Sequence, residues 1–322
     1  QPRRRLTPEG PFMPTVLVTT SSFGVHDACV LDRLTARGLT PVINPYGRKL
    51  TEDELLELLR QHRPVGLLAG TEPITRRVME TALPELRAIA RVGVGWDNVD
   101  HPAAAELGLR VSRTVGVLDQ CVAELAIGFM LSALRSLPRH TSNICCGVWK
   151  KEMGFLLSGK QVGIVGYGAI GRRVASLLDA FGARVGFFDP QAEAGESCPH
   201  NCLSSMEELC RSADIISLHA SVRTRLLGAR ELAWCKPGVG IVNTARGGQI
   251  DEQALYDALV AGQVGWACLD VFEEEPYKGP LKDLPNVIAS PHVGSYALEA
   301  RCAMEAAAVD NLLASLEPEG AA

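Results

Sequence analysis

Residues 161–190, QVGIVGYGAIGRRVASLLDAFGARVGFFDP, constrain the fold more than any other stretch of the chain. Val162, Ile164 and Val165 form a short apolar run of the kind that makes a buried parallel strand. Gly166, Gly168 and Gly171 follow as G-x-G-x-x-G. In such a turn the first glycine permits the tight bend. The second lets a pyrophosphate approach the backbone, and the third lets helix and strand pack closely. Val174, Leu177, Leu178 and Phe181 recur at helical spacing, and Gly182 is a helix stop. Residues 184–188 read as a second strand. It ends at Asp189, 18 residues past Gly171, and a carboxylate roughly 20 residues on is placed to hold ribose hydroxyls. The unit predicts a dinucleotide site; an ordinary strand–helix–strand unit whose glycines only ease packing is the alternative. Asp189 repels the extra phosphate of NADP, and Pro190 and Gln191 offer no arginine to receive it, so NAD is the expected cofactor. Arg172 and Arg173 stand at the helix start, either reaching the pyrophosphate or lying on a solvated face.

Strands and helices alternate on both sides of this unit. Before it, strands are expected at 15–19, 41–43, 65–69, 87–92 and 109–112, with helices at 26–37 and 51–60. The second helix opens with Thr51 and Glu54, a capping-box pattern. After it come strands at 213–218, 241–243, 265–269 and 287–289, a helix at 252–260 and a last amphipathic helix at 297–316. Such alternation builds parallel α/β sheets. A helix over 119–137, with Ala123, Ile127, Met130 and Leu134 on one stripe, stands between the two sets. It bridges them, faces another subunit, or is buried within one chain.

A chain of 322 residues, 47% hydrophobic, suggests about two domains with real cores. The net charge of −5 leaves no basic footprint for nucleic acid. The ten cysteines show no paired metal spacing and read as reduced thiols of a cytoplasmic protein. Cys198, His200 and Cys202 supply only three candidate ligands in a turn-like segment, so a surface loop is expected there and no metal site. Residues 1–12 precede the first strand without an apolar core behind Arg3–Arg5 and read as a tag remnant or disordered extension. The apolar stretch 121–134 contains Glu124 and is too short to cross a bilayer, so no membrane partner is expected.

A nicotinamide that exchanges hydride with an oxygen-bearing carbon needs three companions. An arginine fixes a carboxylate and polarises a carbonyl with its planar fork. A histidine titrates near neutrality as acid and base. A carboxylate orients that histidine and favours its protonated form. Arg246 lies in a glycine-rich turn after a strand, His292 follows Pro291 at a strand end, and Glu273, Glu274 and Glu275 lie between them after Asp270. Taken singly, a structural arginine, a loop histidine and a solvated acidic run are the commoner readings. Their order along successive strand ends behind a nucleotide motif favours a site.

Five segments together carry a resemblance: ARVGVGWDNVD from Ala90, GIVGYGAIGRR from Gly163, NTARGGQIDEQAL from Asn243, LDVFEEEP from Leu269 and SPHVGS from Ser290. The chain resembles the D-isomer-specific 2-hydroxyacid dehydrogenases, in particular the D-3-phosphoglycerate dehydrogenase-like branch, over most of residues 13–316. The resemblance implies a Rossmann-type, doubly wound NAD-binding domain (113–292) inserted into a flavodoxin-like substrate domain (13–112 with 293–322). It also implies a cleft that closes between the two. It implies Arg246, Glu275 and His292 as the catalytic set, with Glu275 chosen by its distance of 29 residues from Arg246. It places the amides of Gly93, Val94 and Gly95 on the substrate carboxylate with Arg246 and His292. Around the cofactor it places Gly166, Gly168, Ala169, Ile170 and Gly171 at the pyrophosphate, and Asp189 and His219 on the adenosine side. Thr244, Ala245, Arg246, Asp270, His292 and Gly294 fall toward the nicotinamide. A homodimer is expected.

Three departures bear on the substrate. Ala69 stands where phosphoglycerate dehydrogenases carry an arginine that helps hold the substrate phosphate. His219-Ala-Ser-Val-Arg223 replaces the family's His-x-Pro-Leu-Thr. No regulatory domain follows, so feedback through one is not expected. The implied substrate is a small anionic 2-hydroxy or 2-keto acid, with a glyoxylate/hydroxypyruvate-type or phosphonate-acid reductase as the alternative. Trp96 beside the carboxylate loop either limits the pocket or packs the core. A different class of function, an NAD(H)-sensing scaffold resembling the corepressors of this family, is disfavoured by the intact Arg246, Glu275 and His292.

Overall fold

The computed structural model describes residues 13–192 and 199–317. The expected extension at 1–12 and Cys198 of the cysteine–histidine loop lie outside the described residues. The chain divides into two compact units, one running to Val117 and resuming at Leu298, the other spanning Leu118–Ala297.

The first unit contains β1 (Thr15–Val18), α1 (Cys29–Thr35), β2 (Thr40–Ile43), α2 (Glu52–His62) and β3 (Gly66–Ala69), then α3 (Arg76–Ala82), β4 (Ala88–Arg91), α4 (His101–Glu106) and β5 (Arg110–Arg113). The strands are parallel, in the order β2-β1-β3-β4-β5, which is the flavodoxin-like arrangement. All four residues of β3 and of β4 are buried, as expected of central strands covered on both faces. The Thr51 hydroxyl and the Glu54 carboxylate cap α2 reciprocally, and Leu55, Leu56, Leu58 and Leu59 go into the core. The short helices α3 and α4 show no apolar period in the sequence. Their signals are the caps: Thr75 accepts from the Val78 amide, and Asp100 from the Ala103 amide ahead of Pro102.

The second unit begins with α5 (Asp119–Leu134) and α6 (Leu137–Cys145). It continues through β6 (Gln161–Val165), α7 (Ala169–Ala180), β7 (Arg184–Phe188), β8 (Asn201–Cys202), α8 (Met206–Ser212) and β9 (Ile215–Leu218). It ends with α9 (Ala229–Trp234), β10 (Val239–Asn243), α10 (Glu252–Val260), β11 (Val264–Leu269) and β12 (Val287–Ala289). Its parallel strands run β12-β11-β10-β9-β6-β7-β8. This is the Rossmann order with one strand added, and the order reverses beside β6, where such sheets bind ligands. The last helix, α11 (Leu298–Leu316), returns to the first unit. Gly66 admits it, because a Cβ there would stand 3.0 Å from Leu312 Cδ1.

The helix expected over 119–137 ends at Leu134. Ser136 takes a left-handed conformation (φ 50°) and α6 leaves at 61°. Pro138 explains the break: it has no amide to continue the ladder and restricts the residue before it. α5 packs on α7 with Ala123, Ala126, Ile127 and Met130 buried. The unit boundaries fall five residues beyond the 112 and 292 expected from the sequence. The Thr114 amide donates to Gly93 O and Arg113 to Val94 O, which keeps 113–117 with the first unit. The Val293 and Gly294 amides donate to Asp270, which keeps 293–297 with the second. Among the described residues no single helix is long and apolar enough to cross a membrane, and the nine cysteines are free thiols.

Candidate active site

The turn between β6 and α7 is shaped by what its glycines lack. Gly166 has φ +88°, and a Cβ there would lie 2.5 Å from the Ala220 nitrogen. At Gly171 it would lie 2.2 Å from Gly166 O. At Gly168, the residue before α7, a Cβ would meet nothing within 4 Å. The turn is thus tight on two sides and open on the third. The open side leads to the amides of Ala169, Ile170 and Gly171, which no side chain caps. A helix N-terminus of this kind receives an anion through its free N–H groups and dipole, so the residues present fit a dinucleotide pyrophosphate. Asp189 accepts from the Tyr167 amide at 2.7 Å through one oxygen and from the Gln191 amide at 2.9 Å through the other. Arg172 donates to Tyr167 O and so braces the turn, while Arg173 donates to Gln120 and ties α7 to α5.

Next to Gly166, His219 follows β9. Its Nε2 meets Ser217 Oγ at 2.8 Å, and its buried Nδ1 has no protein partner. Burial depresses its pKa to about 4, which keeps the ring neutral. At the end of β10, Thr244 also has a buried hydroxyl without a protein partner. Orphaned polar atoms at adjacent strand ends are the residual hydrogen-bonding capacity that a bound cofactor would complete. Gln249 fixes the departed loop after His219 by donating to Ala220 O and Val222 O.

Arg246 leaves β10 in a turn held by Asn243, whose amide donates to Arg246 O and whose carbonyl accepts from the Ala245 amide. Gly247 brings this turn against the loop after β11: a Cβ there would be 1.7 Å from Phe272 O. Within that loop Glu275 accepts from the Phe272 amide and, through its other oxygen, pairs with His292 Nδ1 at 2.9 Å. Its neighbour Glu273 contributes only its amide, which donates to Glu252. His292 has φ 55°, and the segment around it is tied to Asp270. That carboxylate, 1% exposed, accepts from Ser290, Val293 and Gly294. The Glu275 hydrogen bond raises the His292 pKa first. The charges of Glu275 and Asp270 add to this, while burial and the Arg246 charge oppose it. The structure therefore gathers Arg246, Glu275, His292 and Asp270 at the carboxyl ends of β10, β11 and β12. Cys121 Sγ reaches Gly294 O from α5.

In the first unit, Gly93-Val94-Gly95 follows β4. Gly93 has φ +143°, and a Cβ there would strike the Arg91 guanidinium. Arg113 stacks over Trp96 at 4.3 Å, and Trp96 packs against the core and edge-on to His101. Sequence reasoning missed the bracing residues Asn243, Ser217, Gln249 and Ser290. Only Asn243 carries a signal, an Asx residue where a strand turns. It also missed Tyr167, His200 and Asp179. His200, a candidate ligand of the cysteine–histidine loop, lies between Tyr167 and Asp179. Among the described residues no cluster of metal ligands forms.

Residues 127–294 match the family model described as D-isomer specific 2-hydroxyacid dehydrogenase, NAD binding domain. D-3-phosphoglycerate dehydrogenase of Methanocaldococcus jannaschii is 42% identical over 260 residues, which are 78% of this chain and 49% of that protein. The chain thus spans about half the length of such relatives. Hydroxypyruvate reductase of Thermotoga maritima is 40% identical over 78% of this chain and 84% of its own length. The solved glyoxylate reductase from Paecilomyes thermophila superposes with a TM-score of 0.85 at 31% identity, covering 95% of this chain and 96% of that one.

Proposed function

Because the chain belongs to the D-isomer specific 2-hydroxyacid dehydrogenase family, we propose that it is an oxidoreductase acting between NAD and C2 of a small 2-hydroxy or 2-keto acid. The observation that carries this is the His292–Glu275 pair beside Arg246, at the strand ends of the sheet that bears the glycine turn. NAD, when bound, supplies or accepts the hydride. Arg246 holds the carboxylate and polarises the carbonyl. His292, with Nδ1 engaged by Glu275, uses Nε2 to give the oxygen its proton in reduction and to take it back in oxidation. Glu275 favours the imidazolium that reduction needs. The amides of Gly93, Val94 and Gly95 are proposed carboxylate ligands. Asp189 and His219 are assigned to the adenosine side, and Thr244, Ala245, Asp270 and Gly294 to the nicotinamide side.

Within this reading a small unphosphorylated keto acid of the glyoxylate/hydroxypyruvate type is favoured. Of the three candidate replacements for the arginine missing at Ala69, Arg76, Arg77 and Lys49, two are already paired: Arg76 with Glu80 and Glu106, and Arg77 with Asp53. The end of β3 carries instead a carboxylate, Glu72, 1% exposed and bonded to Thr19 and the Gly70 amide. Asn98 ties that segment to the stretch after Gly95 by donating to Gly70 O and Glu72 O. Negative charge there disfavours a phosphate.

The test is NADH oxidation with pyruvate, glyoxylate, hydroxypyruvate, phosphohydroxypyruvate and phosphonopyruvate. Preference for glyoxylate or hydroxypyruvate supports the reading, and preference for a phosphorylated acid overturns the substrate assignment. NADH binding without turnover on any acid overturns the enzyme assignment in favour of a sensing scaffold. A homodimer is proposed from an apolar surface on residues 144–156, where Trp149, Met153 and Leu156 are 84%, 93% and 71% exposed. Exposure of this extent marks an association surface, and a second copy meeting it by symmetry covers both patches at once. The cytoplasm, which keeps thiols reduced, is the proposed location.

A further inference from the structure

Tyr167 is the one residue with a side chain between Gly166 and Gly168, and it is held from every side. Its ring lies on Phe187 of β7 at 3.8 Å and 13°. Its amide donates to Asp189, and its carbonyl accepts from Arg172 of α7. Its phenol hydroxyl meets Nδ1 of His200, and Nε2 of His200 meets Asp179 Oδ2 of α7 at 2.9 Å. The carboxylate of Asp179 only accepts, so Nε2 of His200 carries a proton toward it, and Nδ1 and the phenol oxygen share the next link. We propose that Tyr167, His200 and Asp179 form a chain of positioning residues that fixes the glycine turn and Asp189 for the adenosine half of the cofactor. This rests on the cofactor reading above and assigns new residues to it.

The physical reason is local. Glycines on both sides leave the peptides around residue 167 free to rotate, and a rotated Tyr167 would carry its amide away from Asp189. The stacked ring limits one rotation, and the hydroxyl–imidazole–carboxylate chain limits the other by tying the turn to the helix that follows it. The chain touches neither Arg246 nor His292, so it acts on cofactor affinity and leaves the chemical step alone.

Calorimetric titration of NADH and of ADP-ribose into the wild-type chain, Tyr167→Phe and His200→Gln tests this, together with kcat at saturating NADH and the melting temperature. Tyr167→Phe keeps the stack and removes only the hydroxyl. It is expected to weaken NADH and ADP-ribose alike by roughly 3- to 10-fold, the worth of one neutral hydrogen bond, with kcat unchanged. His200→Gln is expected to weaken both similarly, and the double variant to be no weaker than either single one, because both break one link. Asp179→Ala, at an exposed position, reads the same chain where folding is not at risk, and Asp179→Asn, which keeps an acceptor, should restore binding. Unchanged affinities in Tyr167→Phe and Asp179→Ala overturn the proposal, as does a fall in kcat and melting temperature in step with affinity. Failure of the wild-type chain to bind NADH at all is a separate result and overturns the cofactor reading instead.

Discussion

Glu275→Gln separates charge from orientation at His292. Glutamine keeps an oxygen that accepts from Nδ1–H, so the ring stays oriented while the negative charge goes. In the wild-type chain the Glu275 hydrogen bond is the first cause of the raised His292 pKa, and its charge adds to it. At the 2.9 Å separation a unit charge pair in bulk water is worth about 1.4 kcal/mol, or about tenfold in an equilibrium constant. The side chains are 53% and 40% exposed, so solvent screening keeps the effect near that lower bound. Reduction requires the imidazolium, so its rate falls as pH rises through the His292 pKa. Removing the charge lowers that pKa. The alkaline limb of kcat/KM for NADH-dependent reduction should therefore move down, costing about tenfold above both limbs and little well below them. In oxidation, which needs the neutral ring, the acid limb should move down by the same amount. The assay is kcat/KM against pH at constant ionic strength in both directions. A uniformly lowered plateau with the limbs unmoved would mean that Glu275 acts by orientation alone, and an upward shift would refute the electrostatic argument.

Gly247→Ala places a Cβ 1.7 Å from Phe272 O, a backbone atom that cannot step aside. It should destabilise the chain by about 1–3 kcal/mol or more and displace the loop bearing Glu275, with melting temperature and kcat falling together; a normal Tm with normal kcat would sink the packing argument. His219 is held neutral, with a folded pKa of about 4 against 6.5 when unfolded. Between those values the unfolded chain binds the extra proton, so this group's stability contribution is present above pH 6.5 and lost as pH falls toward about 4. Urea denaturation against pH should show less acid loss in His219→Gln, and an identical slope would remove His219 as a cause. Met153→Asp should convert a dimer to a monomer in light scattering without impairing NADH binding, whereas an unchanged mass would place the interface elsewhere.

Regular elements were legible where they are long or fully buried. β7 and β12 coincide with the apolar runs at 184–188 and 287–289, and α2 declares itself through Thr51 and Glu54. The helices α3, α4, α8 and α9 span six or seven residues each, too few for an apolar period to repeat. The break before α6 was not read because the apolar stripe of α5 masked the effect of Pro138.

By itself the sequence determined the glycine turn, because backbone conformation at Gly166 and close approach at Gly171 depend on the absence of a side chain, which is a local property. It also put Arg246 and His292 at strand ends, because buried strands are written as apolar runs. The resemblance, through the 29-residue distance from Arg246, singled out Glu275 among three consecutive glutamates; only the tertiary structure decided that it meets Nδ1 of His292, that Asp270 binds the loop behind it, and that His200 answers Tyr167 across 33 residues. Such pairings depend on where separate strands end in space. Sheet order and loop packing set those positions, and spacing along the chain does not encode them.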